Sequence, residues 1–102
     1  MKYLTLETIL AIHDYVIAEF GGTVGVRDIG RLESAVASQH QAVFGHTLYI
    51  TLHEKAAVLI RSIIQDHPFI DGNKRTGLAA GLTLLELNGI KISFKPGEIE
   101  DF

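Results

Sequence analysis

The stretch His67-Pro68-Phe69-Ile70-Asp71-Gly72-Asn73-Lys74-Arg75 joins a general-base candidate, a carboxylate and two cations within nine residues. An imidazole titrates near neutrality, which suits His67 to taking a proton from a hydroxyl. Asp71 offers the hard oxygen ligands that magnesium prefers alongside substrate phosphates. Gly72 admits a close approach of ligand to backbone, and Asn73 adds an amide donor. Lys74 and Arg75 supply full positive charges, the arginine with a fork that can grip phosphate oxygens in pairs. Base, metal ligand and anion cradle together describe phosphoryl or nucleotidyl transfer, where catalysis is mostly positioning and charge neutralisation. A plain solvated turn with a helix cap would use the same polar residue types. Phe69, an aromatic in the middle, argues instead for a loop anchored in a core. The glycine-to-lysine spacing of a P-loop is absent.

Helices must hold this loop at both ends. From Thr51 the apolar residues Leu52, Ala56, Leu59, Ile60, Ile63 and Ile64 recur at helical spacing. Pro68 disfavours helical geometry at His67, so that helix should end near Asp66. After the loop, Thr76 to Leu87 is apolar almost all round, as a central buried helix would be. With an onset near Lys74, its unpaired N–H groups and positive dipole end would face the loop. Gly77 and Gly81, four apart, would let a neighbouring backbone come close, and Asn88-Gly89 is a stop signal. Upstream, Leu6 to Phe20 reads as a helix capped by Thr5 and stopped at Gly21-Gly22, with His13 on its apolar face as a hydrogen-bonded core residue. Asp28 should cap a shorter helix carrying Ile29, Leu32, Ala35 and Val36; Arg31 and Glu33 read as surface pairing, with Arg27 and Arg31 also able to help hold a nucleotide or target.

The connection from Ser38 to Tyr49 reads as irregular, with room for a short hairpin. Ile90, Ile92 and Phe94 alternate as a short strand that Pro96-Gly97 breaks. Glu98 to Phe102 reads as the capped start of another helix, to be completed by further chain or by a partner.

Composition narrows the classes. A chain of 102 residues, 47% of them apolar and 21% charged, suits one globular domain over residues 1–102 and excludes a separate cofactor module. With no cysteine, thiol catalysis, disulfides and thiolate metal sites are out. A formal charge of −3 gives no electrostatic footprint for direct nucleic-acid binding. Neither a secretory signal nor a membrane span is visible, so a cytoplasmic domain is expected. No His-x-x-x-His pair supports a zinc site.

The residues HPFIDGNKRTG resemble the signature of the Fic/Doc superfamily, His-x-Phe-x-Asp/Glu-Gly-Asn-Gly-Arg-x-x-Arg, at His67, Phe69, Asp71, Gly72, Asn73 and Arg75. Ile12-His13-Asp14, Phe20-Gly21-Gly22 and Gly25 to Ala35 resemble the Doc (death-on-curing) branch, so the likeness spans roughly residues 4 to 95. Lys74 stands where the AMP-transferring branch has glycine, and Leu78 where it has its last arginine. The resemblance implies an all-α Fic/Doc fold around a central buried helix. It also implies a toxin kinase passing the γ-phosphate of ATP to a threonine of translation elongation factor Tu. On that reading His67 deprotonates the acceptor hydroxyl and Asp71 positions Mg2+, while Gly72, Asn73, Lys74 and Arg75 hold phosphates. Phe69 is then an anchor, and Gln41 to Tyr49 occupy the place of a target-positioning flap. The inhibitory Ser/Thr-x-x-x-Glu helix of many relatives has no match, which implies restraint by a separate, Phd-like antitoxin whose C-terminal segment docks on the toxin. AMP transfer, disfavoured by Lys74 and Leu78, and an inactive Fic-like binding module are the alternatives.

Overall fold

The computed structural model describes residues 1–43, 46–47 and 51–91, with backbone only for 42–43 and 46–47. Four helices make up most of it: α1 (Leu6–Phe20), α2 (Ile29–Ala37), α3 (Leu52–Asp66) and α4 (Asn73–Leu87). Each of the first three starts where its own side chain can cap it. The Thr5, Asp28 and Thr51 oxygens accept from the N–H groups of Thr8, Arg31 and Glu54, and Glu54 returns a bond to Thr51 to complete a capping box. Between α2 and α3 a single tight turn (Ser38–His40) leads into a minimal antiparallel hairpin, β1 (Ala42–Val43) with β2 (His46–Thr47). The strand expected over Ile90 to Phe94 is not formed at Ile90 or Lys91. Its remainder, the rest of the expected flap and the helix start at Glu98 lie outside the described residues.

The core draws on every helix and on the loop before α4: Ile9 from α1, Leu32 from α2, Leu59 and Ile63 from α3, Ala80 and Leu84 from α4, and Phe69, all fully buried. α4 lies against both α3 and α1, burying Thr76, Gly77, Ala80, Gly81 and Leu84, while Leu78, Leu82 and Leu85 are half-buried. Its contact with α3 depends on the two glycines. A Cβ on Gly77 would stand 3.1 Å from the Ile60 carbonyl oxygen, and one on Gly81 would overlap the Ile60 side chain. The helices therefore meet backbone to backbone, as the four-residue spacing predicts.

Two polar clasps close the chain around this core. Gln39, wholly buried, accepts from the Leu4 N–H at 3.0 Å and donates to the Leu4 carbonyl at 3.0 Å, while its own carbonyl takes the Lys55 ammonium at 2.8 Å. Asn88, just past α4, holds both backbone groups of Lys2. Pairing the buried groups around Gln39 matters because each one left without a partner would cost about 1–3 kcal/mol.

Candidate active site

α3 ends at Asp66, as Pro68 requires, and His67 turns the chain with φ 49° and ψ 58°. It is the one non-glycine residue at positive φ among those described. A left-handed conformation costs a residue with a Cβ roughly 1–2 kcal/mol, so neighbouring contacts must hold it. They come from the segment between α1 and α2. Arg27 donates from Nε to the His67 carbonyl at 2.8 Å and from Nη2 to the Asp66 carbonyl at 2.9 Å. Arg31 reaches the same Asp66 oxygen from Nη1 at 2.9 Å. The Arg27 and Asp28 N–H groups both donate to Pro68 O, and the Ile70 N–H donates to Gly25 O. A bridge between Val26 and Phe69 makes the two segments a short antiparallel pair.

Phe69 points inward and is fully buried. Asn73 locks it there: its Oδ1 accepts from the Phe69 N–H and its Nδ2 donates to the Phe69 carbonyl, both at 2.9 Å. This link ties the start of α4, at Asn73 and one residue before the expected Lys74, to the loop. Gly72, at φ 74°, makes the turn into the helix, and a Cβ there would stand 3.1 Å from Ile17 Cδ1 and 3.6 Å from Val16 Cγ1. Glycine alone fits both the space and the dihedral.

Asp71 lies on the surface with its carboxylate fixed between two backbone donors, Thr23 N–H on Oδ2 at 3.1 Å and Gly72 N–H on Oδ1 at 2.8 Å. These bonds, Thr23 first and Gly72 second, lower its pKa below the ordinary carboxylate value, with a smaller push from His13. It is therefore ionised at neutral pH. Each oxygen keeps a lone pair, so the group suits a magnesium ion shared with substrate phosphates. No cluster of three or more acidic or histidine side chains among the described residues would suit a cage made of protein ligands alone.

The first intrahelical bond of α4 runs from the Thr76 N–H to Gly72 O at 2.9 Å, and no side chain caps this end. The N–H groups of Asn73, Lys74 and Arg75 thus lie at an uncapped, positive helix end. Lys74 is exposed, and the Arg75 guanidinium lies 4.2 Å from the centre of the Phe20 ring. His67, Asp71, Gly72, Asn73, Lys74 and Arg75 all line one open depression of about 360 Å³, completed by Ile70. The sequence-expected residues are therefore brought together, with one difference in employment: the Asn73 amide is engaged by the loop's own backbone. A larger polar cleft of about 480 Å³ lies on the far side of Asp66, between α2 and α3; among the described residues its lining holds no histidine.

Arg31 pairs with Asp28 as expected, but the hold of Arg27, Arg31 and the Thr23 N–H on the loop is what sequence reasoning missed. Their targets are backbone carbonyls and a carboxylate some 40 residues away, and no local pattern marks such a contact. His13 is buried and hydrogen-bonded, as expected of it.

Residues 3–85 match the model of the Fic/DOC family. The chain is 40% identical over 92 residues to the Toxin Doc of Mycolicibacterium smegmatis, an alignment covering 90% of this chain and 68% of that protein. It is 33% identical over 96 residues to the Protein kinase doc of Escherichia phage P1, covering 94% of this chain and 75% of that one.

Proposed function

This chain belongs to the Fic/DOC family, and from that premise we propose that it is a Doc-type toxin that moves the γ-phosphoryl group of ATP to a protein hydroxyl. The acceptor in this proposal is a threonine of translation elongation factor Tu, and the consequence is arrest of protein synthesis in the cytoplasm. A separate, Phd-like antitoxin restrains it. Among the described residues no helix is long and apolar enough to cross a membrane.

The observation that carries the reading is the shared depression. It sets an exposed imidazole beside an ionised carboxylate and an uncapped helix start with two cations. His67 takes the proton of the acceptor hydroxyl as its oxygen bonds to the γ-phosphorus. The bond to the bridging oxygen breaks, and ADP leaves with that electron pair. Lys74, Arg75 and the backbone N–H groups at the start of α4 hold phosphate oxygens and offset their charge, for which Arg75 turns from the Phe20 ring. Asp71 would hold Mg2+, which when bound neutralises phosphate charge. Asn73 keeps Phe69 seated, and with it the path of the loop beneath the phosphates. Lys74 also fills space beside the helix start, which disfavours AMP transfer.

The test uses the chain, Mg2+, elongation factor Tu and ATP labelled at either the α or the γ position. Appearance of the γ label on the factor, lost in His67→Ala, is the expected result. Appearance of the α label would replace the reading with AMP transfer, and no transfer of either label by the complete protein would leave a binding module.

A further inference from the structure

Arg27 is an exposed residue that donates to three successive carbonyls. Its own N–H bonds Pro68 O at 2.7 Å, its Nε bonds His67 O at 2.8 Å, and its Nη2 bonds Asp66 O at 2.9 Å. These are the last residue of α3, the left-handed residue after it and the proline that follows. Nothing in the local sequence of α3 selects the left-handed turn at His67, since histidine carries a Cβ and the residue before proline ordinarily prefers extended backbone. The three bonds come from one residue whose backbone is itself fixed by the bridge from Val26 to Phe69. Arg31, tied to Asp28 at 3.4 Å, supports the same Asp66 oxygen from the first turn of α2. Two guanidinium groups at the carbonyl end of α3 also complement its dipole.

We propose that Arg27, braced by Arg31, is a positioning residue of this site: it sets the backbone angle at His67 and thereby aims the imidazole into the depression. The proposal rests on His67 being the general base. It goes further by making the geometry of that base depend on a side chain from another part of the chain, which touches neither phosphate nor acceptor. A base displaced by about an ångström loses much of its rate while substrate binding is spared.

Two measurements on the full chain test it. The first reads His67 directly: the three-bond coupling between its amide and α protons, taken with the strong intraresidue amide–α NOE that positive φ gives, reports φ, and the pair should leave the left-handed values in Arg27→Ala. In Arg27→Lys, which keeps one donor and the charge, it should move part of the way. The second is transfer kinetics. Arg27→Ala should lower kcat by about tenfold to a hundredfold with KM for ATP unchanged, and Arg27→Lys should recover part of the loss. A coupling and an amide–α NOE both unmoved in Arg27→Ala overturn the proposal. So does an unchanged kcat, and so does a rise in KM that accounts for the whole loss, because Arg27 would then be a phosphate contact. A parent chain that transfers no phosphate at all would defeat the proposed function, while the coupling would still decide the role of Arg27.

Discussion

The imidazole of His13 lies flat on the ring of Phe69, centroids 3.8 Å apart and planes 4° apart, and its Nε2 meets the carbonyl oxygen of Asp71 at 2.9 Å. A carbonyl only accepts, so Nε2 carries the proton. One side chain of α1 thus holds both the buried aromatic of the loop and the backbone of its carboxylate residue. An aromatic pair contributes about 0.5–1.5 kcal/mol and a hydrogen bond about 1 kcal/mol. His13→Ala should therefore destabilise the chain by about 2 kcal/mol in urea denaturation, and His13→Gln, which can still donate, should restore part of it.

Asn73 supports a sharper comparison. Its Oδ1 accepts and its Nδ2 donates on the same residue, Phe69. Asn73→Ala leaves a buried N–H and a buried carbonyl without partners, a loss of about 2–4 kcal/mol. Asn73→Asp keeps the first bond but sets a carboxylate oxygen against the Phe69 carbonyl. It should be at least as destabilising as the alanine at pH 7 and recover when the introduced group is protonated, as read by unfolding at both pH values.

The pKa of Asp71 is lowered by backbone bonds from Thr23 and Gly72. A carboxyl group depressed in the folded state contributes stability that is complete above its unfolded pKa and is lost as the pH falls through the folded one. Stability should therefore fall more steeply below about pH 4 in the parent than in Asp71→Asn. Denaturation midpoints collected from neutral to strongly acidic pH would show the two curves converging at the acid end.

Thr76 is wholly buried, and its Oγ1 has no hydrogen-bond partner among the described residues. Burying a hydroxyl without a partner costs about 1–3 kcal/mol, and valine has nearly the same shape. Thr76→Val should raise the thermal midpoint. A fall would mean that the hydroxyl has an unseen partner.

Gly81 faces the Ile60 side chain and, at 3.3 Å from a would-be Cβ, the Ala56 carbonyl oxygen. Glycine to alanine inside a helix ordinarily gains about 1 kcal/mol. Here overpacking, which costs about 1–3 kcal/mol, should reverse the sign. Calorimetry of Gly81→Ala reads the outcome.

Much of this architecture was legible because its causes are local. Thr5, Asp28 and Thr51 cap with their own side chains, Pro68 ends α3 from two residues away, and Gly77 and Gly81 announce a close approach by spacing alone. The loop was legible as chemistry because histidine, carboxylate and cations fall in a row. The onset of α4 lies one residue before the expected Lys74, where the Asn73 side chain reaches back to Phe69, a contact that hydrophobic periodicity does not register. Arg27 and Arg31 escaped for a different reason. They bind carbonyl oxygens, which every residue possesses, so their partners carry no signature until the chain is folded. Asp71 looked like a metal ligand alone, yet the structure also uses it to fasten Thr23.

His67 follows the last turn of α3, and α4 begins at the other side of the same depression, so these helices are the two arms of a caliper. Its setting is fixed along the arms rather than at the tips, where Gly77 and Gly81 let α4 rest on Ile60 and Ala56. Adding a methyl group there would spread the arms without touching any ligand. The distance from His67 to the start of α4 could be retuned from within the protein's interior, by volume alone.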